Sequence, residues 1–301
     1  MASDDRAMTR RSGGGPDGVA IIDKATGWTS HDVVAKARGL LGTRKVGHSG
    51  TLDPDATGVL VLGVGRATRL LRFLQLLPKS YEAEIVLGVE TSTLDASGTV
   101  TATHRMEGVS PEDVDAAAAT LRGDIAQVPP MVSALKVGGR RLHELAREGV
   151  EVEREARAVH VSRFDLLPTA DPLVFKATVE CSSGTYVRSL AADLGHALGG
   201  GAHLRSLRRS AVGPFTLVDA RPLEQVELLP LPEAMRGFGS VTVDAELAAR
   251  VAVGAVLGPR ELFVDGPPPW AVLDELGSLL AVYEPHRDGV RTKPAVVIPP
   301  L

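Results

Sequence analysis

Every second residue from Tyr81 to Val89 is apolar (Tyr81, Ala83, Ile85, Leu87, Val89), with Glu82 and Glu84 between them. A period of two predicts a half-buried strand over Lys79–Val89, with Tyr81 near its start on the inward face. The unbroken apolar run Val59–Leu62 predicts a fully buried strand, and Val19–Ile22, Val159–Leu167 and Leu173–Cys181 predict three more. Elsewhere the spacing is helical. Thr29 or Ser30 can cap a helix from His31 to Leu41 that Gly42 ends, and Ala67–Leu77 carries an apolar helical period closed by Pro78. Ser110-Pro111-Glu112-Asp113 sets an N-cap, a proline at the first helical position and an acidic first turn ahead of a helix that Gly123 ends. A basic helix is expected over Arg140–Glu148. Gly184 should break the preceding strand so that Thr185 opens a helix with Tyr186, Leu190 and Leu194 near one face. From about Ser240 the pattern changes to short strands between Gly and Pro turns (Leu262–Val264, Trp270–Leu273, Leu279–Tyr283, Ala295–Ile298), which reads as a small β domain over 240–301. Residues 1–17, rich in Gly, Ser, Asp and Arg, read as a disordered tail.

Composition narrows the classes. At 301 residues the chain suffices for one or two domains with a real core, and 44% hydrophobic with 23% charged residues is ordinary for a globular protein. The single cysteine, Cys181, excludes a disulfide framework and a cysteine-rich zinc site, and the eight histidines show no ligand spacing, so no metal is expected. No apolar run approaches a membrane span and the first 17 residues lack a signal-peptide core, so a cytoplasmic protein with no membrane partner is expected. A net charge of −4 is not by itself the footprint of a nucleic-acid binder. Its distribution is more suggestive: Arg66, Arg69 and Arg72 form one basic group, Lys136, Arg140, Arg141 and Arg147 a second, and Arg205, Arg208 and Arg209 a third. Each alone reads as a solvated face; together they make a one-sided basic surface plausible.

The candidate chemistry centres on Lys45–Arg69, where a basic, Gly-rich lead-in delivers Asp53 into a turn just ahead of the buried strand. Pro54 fixes φ after the acid, and Gly47, Gly50 and Gly58 relax the backbone around it. A carboxylate held there is partly desolvated, which suits a nucleophile or base, although an Asp-Pro turn bonded to its own backbone is an equally good reading of the loop taken alone. Asp53-Pro54-Asp55-Ala56-Thr57 imitates the D-x-D-x-T loop of aspartyl-phosphate phosphatases, but the preceding segment is polar rather than a long apolar strand. An EF-hand fails because Val64 stands where the bidentate Glu belongs, and Gly63-Val64-Gly65 fails as a dinucleotide fingerprint because Thr68 replaces its third Gly.

His48-Ser49-Gly50-Thr51-Leu52-Asp53-Pro54-Asp55-Ala56-Thr57-Gly58-Val59-Leu60 resembles the signature H-x-G-x-L-D-P-x-A-x-G-x-L of the TruB family of tRNA pseudouridine synthases. The resemblance extends over roughly 18–220: Asp23-Lys24-Ala25-Thr26-Gly27-Trp28-Thr29-Ser30 is similar to D-K-P-x-G-x-T-S, with Ala25 in place of the usual Pro; Lys79-Ser80-Tyr81 to K-x-Y; and Thr91 to Gly98 to T-x-T-x-D-x-x-G. Further on, Gln127 to Lys136 is similar to Q-x-P-P-x-x-S-A-x-K, Cys181 to Leu190 to C-S-x-G-T-Y-x-R-x-L, and Leu207-Arg208-Arg209 to L-R-R. It implies an α+β fold with a mixed, mainly antiparallel central sheet and flanking helices over 18–239, an RNA-gripping insertion at about 127–155, and a PUA-like RNA-binding module over 240–301. The implied activity is conversion of uridine 55 in the tRNA T loop to pseudouridine, without cofactor or guide RNA, by a monomer.

In that reading Asp53 is catalytic, Arg188 pairs with it and keeps it ionised, and Tyr81 stacks on the target base. Tyr186 and Leu207 shape the pocket, Arg208 and Arg209 meet phosphate, Lys24 supports the first motif, and His48 fills the gap left by the base or fixes the loop. Asp95 contacts RNA or caps a turn, and His143 stands where the family commonly has Tyr. Two other functions remain to be weighed: an RNA-binding module or tRNA folding chaperone, and a magnesium-dependent hydrolase of the aspartyl-phosphate type.

Overall fold

The computed structural model describes residues 15–133, 135–150 and 152–298. In chain order the elements begin with β1 (Gly18–Lys24), α1 (Ser30–Leu40), β2 (Val46–His48), β3 (Thr57–Val64), α2 (Leu71–Leu74), β4 (Lys79–Leu87), β5 (Val89–Thr91) and β6 (Val100–Thr103). Then come α3 (Pro111–Ala119), β7 (Gly123–Gln127), β8 (Lys136–Val137), β9 (Arg140–Arg141), α4 (Leu142–Arg147), β10 (Arg157–Pro168), β11 (Val174–Cys181), α5 (Val187–Ala197), β12 (Ala202–Val212) and β13 (Phe215–Thr216). The last part holds β14 (Ser240–Thr242), α6 (Ala245–Ala252), β15 (Trp270–Leu273), β16 (Leu279–Pro285) and β17 (Thr292–Val297).

Among the described residues, nine strands form the central sheet in the order β1-β3-β12-β4-β11-β10-β7, with β2 added on β3 and β13 on β12. Only the β3–β12 pairing in it is parallel. The expected mixed, mainly antiparallel α+β architecture is the one observed. Alternation along β4 aims Tyr81, Ala83, Ile85 and Leu87 into a core shared with Phe164, Phe175, Val179, Leu190 and Leu194, while Glu82 and Glu84 lie on the other face. Both capped helices form as their sequences dictate. Thr29 and Asp32 make a reciprocal capping box at α1, Ser110 and Asp113 the same at α3, and Pro111 occupies the first turn.

Several elements differ from the pattern. Ala67–Leu77 is a 3₁₀ turn (Gly65–Arg69) followed by the single-turn α2, because Thr68 turns its hydroxyl back onto the Gly65 carbonyl at 2.7 Å and tightens the chain there. The basic segment Arg140–Glu148 begins as a two-residue strand, and its helix covers Leu142–Arg147. The helix α5 starts two residues after Thr185, with Tyr186 as its N-cap. Leu262–Val264 forms no strand; Leu262 is buried in the C-terminal core, and the Pro-rich stretch that follows bends away from any ladder. Strand β12 carries no clean period in the sequence because bulges at Leu204/Ser206 and Arg209/Ala211 shift its alternation twice.

The C-terminal unit is a four-stranded sheet, β14-β15-β16-β17, with α6 capped by Asp244. It is docked on the central domain. Ala271, Leu279, Val282, Val296 and Ile298 share one core with Leu70, Phe73, Leu74 and Met235. Arg69 and Arg72 donate to the Val297 and Ala295 carbonyls at 2.6 and 2.8 Å, and Arg66 pairs with Asp17. The first basic group of the sequence therefore makes intramolecular contacts, with Arg69 and Arg72 still exposed. Asp17, assigned above to the tail, is part of the fold, and residues 1–14 lie outside the described residues.

Removing the hydroxyl of the α1 cap tests how far this local pattern holds the fold. Thr29→Ala should lower the unfolding free energy by about 1 kcal/mol, measured by urea titration.

Candidate active site

The loop Ser49–Ala56 is fixed from three sides. The Ser30 hydroxyl, at the start of α1, accepts from the Leu52 N–H at 2.8 Å and donates to the Leu52 carbonyl at 3.2 Å. Lys24, at the end of β1, is buried and donates to the carbonyls of Ala25, Trp28 and Pro54 at 3.0, 2.7 and 3.0 Å. Burial lowers its ammonium to about 8, against the pull of Asp53 and Asp55. Arg209 lies beneath the loop at 2% exposure, its Nε on Val59 O at 2.7 Å and its two terminal nitrogens on Thr51 O and Gly50 O at 3.3 and 3.2 Å. At the lead-in, His48 Nδ1 accepts from the Gly50 N–H at 3.3 Å, and its ring sits edge-on to His31 with centroids 5.5 Å apart. Burial, His31 and Arg209 together lower the His48 pKa. With Nδ1 accepting, the neutral ring carries its proton on Nε2.

Asp53 is thereby brought to Arg188. The Nε of Arg188 lies 3.0 Å from Asp53 Oδ2, and the guanidinium side chain is 5% exposed. One terminal nitrogen reaches Asp95 Oδ2 at 3.4 Å and Thr93 O at 3.0 Å, and the other donates to Val132 O at 2.8 Å. Arg188 thus joins the Asp53 loop, the β5–β6 hairpin and the root of the insertion after Gln127. Asp95 does cap its turn, its Oδ1 accepting from the Thr93 hydroxyl and from the N–H and hydroxyl of Ser97. Dense surroundings push the Asp53 carboxyl above the usual aspartate range, Arg188 draws it back down, and Asp95 adds an upward push. Its side chain still shows 41% of its surface to the adjoining space.

That space is a cavity of about 270 Å³. Asp53, Tyr81, Tyr186, Arg188, Leu207 and Arg209 are among its lining residues. Burial raises the phenol pKa of both Tyr81 and Tyr186, so both rings stay neutral. Tyr186 is held from behind by Gln127, whose side chain donates to Tyr186 O at 3.1 Å and accepts from Tyr186 N–H at 2.7 Å. A second hollow of about 320 Å³ shares Asp53, Arg188 and Leu207 with the first and adds Thr26, Asp95, Ser97 and Arg205.

Asp53, Tyr81, Tyr186, Arg188 and Leu207 therefore converge on one cavity, and Asp95 joins them through Arg188. The Arg208–Arg209 pair does not face out together. Successive strand residues point to opposite sides, so Arg209 turns into the protein while Arg208 lies on the other face, bound to both Asp23 carboxylate oxygens at 3.1 and 2.8 Å. The side chain of His143 lies outside what the structure describes. Pattern reading missed Gln127 as a clasp and Lys79 as a buried cation; both sit in motifs quoted above, but nothing in periodicity marks a buried polar side chain.

A family model described as the TruB family pseudouridylate synthase N-terminal domain matches residues 38–187, and one described as the tRNA pseudouridylate synthase B C-terminal domain matches 188–233. The chain belongs to the TruB family. It is an isomerase of the pseudouridine synthase class. Its relatives include proteins named tRNA pseudouridine synthase B from Rhodococcus jostii, 49% identical over 94% of each chain, and from Streptomyces coelicolor, 48% identical over 90% of this chain and 94% of the relative. The fold matches that of a crystallised Cbf5-Nop10-Gar1 complex at a TM-score of 0.73 and 24% identity, over 98% of this chain and 93% of the other. A structure of an H/ACA RNP bound to a substrate RNA containing 2′-deoxyuridine matches at 0.70 and 23%, over 94% and 85%. The C-terminal family match ends at Glu233, ahead of the β14–β17 sheet.

Gly58 sets the closeness of loop and strand on which this TruB-family site depends. Its φ is +100°, and a Cβ there would fall 2.2 Å from the Arg209 carbonyl oxygen. Gly58→Ala should cost upwards of about 1–3 kcal/mol, seen as a fall in melting temperature and in soluble yield.

Proposed function

We propose that this protein isomerises uridine to pseudouridine in the T loop of tRNA, at position 55, with Asp53 as the catalytic carboxylate and no cofactor. One observation carries the reading: the Asp53–Arg188 pair, 3.0 Å apart, opens onto a cavity walled by Tyr81, Tyr186 and Leu207. The names of the relatives supply tRNA as the substrate class.

The reaction breaks the N1–C1′ bond, turns the uracil and rejoins it through C5. Substrate and product are isomers, so the balance needs no oxidant, reductant or phosphoryl donor. The target nucleotide must leave its stack to enter the cavity, at a cost of about a few kcal/mol. Tyr81 then offers a flat neutral ring to the base, and Tyr186 and Leu207 close its sides. Asp53 acts on the sugar or the base as an anion, by attack or by proton abstraction. Arg188 keeps it anionic because a guanidinium does not give up its proton. His48, neutral and with its proton on Nε2, is a donor for RNA at the lead-in of the Asp53 loop. The insertion after Gln127 grips the RNA, and the C-terminal sheet supplies a further RNA surface.

The magnesium-dependent hydrolase finds no support in the loop. Its Asp53 is engaged by Arg188, and no group of three metal-ligating side chains occurs among the described residues.

Asp53→Asn should bind unmodified tRNA normally while product formation falls at least about a thousandfold, read by chemical mapping of pseudouridine. Retained isomerisation would remove Asp53 from its role. Because the Asp53 pKa is raised, the acid limb of the rate profile should lie above the ordinary aspartate value of about 3.9, activity being present above that limb and lost as pH falls through it. Arg188→Lys should move that limb further up and lower the rate, since a point charge replaces a planar fork.

A further inference from the structure

Four cations are buried around the cavity, and two lie close to carboxylates: Arg188 pairs with Asp53 and Asp95. Lys24 is drawn by Asp53 and Asp55. Lys79 and Arg209, which both line the cavity, are 7% and 2% exposed, and neither is in an ion pair among the described residues. They sit on adjacent strands, β4 and β12, and push on each other. Two buried like charges without a counter-ion are costly to keep, so a fold that keeps them has a use for positive potential there.

Their donors are not exhausted. Lys79 has three N–H groups and places Nζ 2.5 Å from Gln75 O and 2.6 Å from Leu77 O. Arg209 has five, and three of them go to the Val59, Thr51 and Gly50 carbonyls. Each retains a proton to direct into the cavity.

We propose that Lys79 and Arg209 form an anion-stabilising floor for the uracil detached from its sugar. This rests on the isomerase reading above and deepens it. When N1–C1′ breaks, the bonding pair leaves with N1, and the base becomes a monoanion with charge spread over N1, O2 and O4. The electron deficit at C1′ is met by Asp53, through a bond or by taking up the C2′ proton. During the turn the anion belongs to neither sugar position, and the floor holds it. Bonding of C5 to C1′ then uses the electron pair of the anion while the Asp53–C1′ bond breaks or Asp53 returns the C2′ proton; the C5 proton is lost and N1 regains one, which leaves a neutral base and a free Asp53 carboxylate. Preorganised cations in a dry site stabilise such a developing charge more than water does. Tyr81, the cross-strand neighbour of Arg209, would serve as both platform and relay.

The competing role for Lys79 is purely structural, as a clamp on the Gln75 and Leu77 carbonyls. Leaving-group acidity separates the two. Fluorine at C5 makes uracil a weaker base and a better leaving anion, so it needs less help. Full-length protein and its Lys79→Met and Lys79→Arg variants should be compared on tRNA transcripts carrying uridine or 5-fluorouridine at the target, following consumption of the starting nucleotide in single turnovers. With uridine, Lys79→Met should be at least about tenfold slower, with tRNA affinity unchanged; with 5-fluorouridine the loss should shrink to within about threefold. Lys79→Arg should recover most of the rate.

Burial places the Lys79 ammonium at about 8, with Arg209 lowering it and Cys181 raising it; Cys181 itself stays a neutral thiol, its pKa pushed up to about 11. Tyr81 is also neutral there. The wild-type rate should therefore be full below that value and fall as pH rises through it, and Lys79→Arg should carry the limb upward. This profile decides the matter even where Lys79→Met does not fold. Equal losses on both transcripts, or an alkaline limb unmoved in Lys79→Arg, would overturn the floor and leave the isomerase reading intact; a wild type inactive on uridine would overturn that reading instead.

Discussion

One guanidinium holds the site together. Arg188 is nearly buried, yet it faces two carboxylates and two backbone carbonyls contributed by three separate stretches of chain. A buried cation of this kind is stable only if its partners stay put, and they stay put only if it does. That mutual requirement couples the Asp53 loop to the Asp95 turn and to the root of the insertion at Val132. It also accounts for the N-terminus of α5, where Gln127 clasps the backbone of Tyr186 on both sides and the Ser189 hydroxyl donates to Val128 O at 2.9 Å. These contacts fix the helix start, and the helix start fixes Arg188.

The same device recurs beneath the loop. Lys24 and Arg209 spend their donors on carbonyls of the Gly-rich segment around Asp53 rather than on carboxylates. A loop with Gly50 and Gly58 has high intrinsic freedom, and ordinary hydrophobic packing cannot grip a backbone so bare of side chains. Charged donors can, because each bond from an ionised group is stronger than a neutral one. Strand β12 makes this possible, lying between β3, which carries the loop, and β4, which carries Tyr81. Its one-residue alternation sends Arg209 to the loop and Arg208 to Asp23 on the opposite face.

Much of this was legible in the residues. The clean alternation from Lys79, the unbroken apolar run at Val59–Leu62 and the caps at Thr29 and Ser110 gave strands and helices where they occur, because each depends on a local rule. The ordered motifs named Asp53, Tyr81, Tyr186, Arg188 and Leu207, and these converge. What stayed hidden were features set by partners far along the chain. Bulges at two places in β12 erased its period, so the strand at the centre of the sheet read only as a basic motif. Arg66, Arg69 and Arg72 looked like an outward patch, yet their acceptors lie at Asp17, Val297 and Ala295. A cation and its acceptor separated by more than two hundred residues leave no trace in periodicity. Helix α6, by contrast, has a local signal, Asp244 as cap with Leu247, Ala248 and Val251 at helical spacing, set in a stretch dominated by turns.

The committed arginines bear on how an acidic chain could hold a polyanion. With Arg66, Arg188, Arg208 and Arg209 on internal partners, the cations left for phosphate under the proposed function are exposed ones such as Lys36, Arg44, Lys45, Arg69, Arg72 and Arg205. Arg44 and Lys45 lead directly into β2 and His48, and Arg205 lines the hollow next to Asp53, so these charges border the site rather than spread over the surface. Each phosphate neutralised adds to the salt dependence of binding, and few such contacts give a shallow dependence. Under the proposed function, recognition then leans on shape and on the extruded base more than on bulk charge. The geometry favours that balance: Lys79 and Arg209 line the cavity, where an extruded nucleotide can reach them.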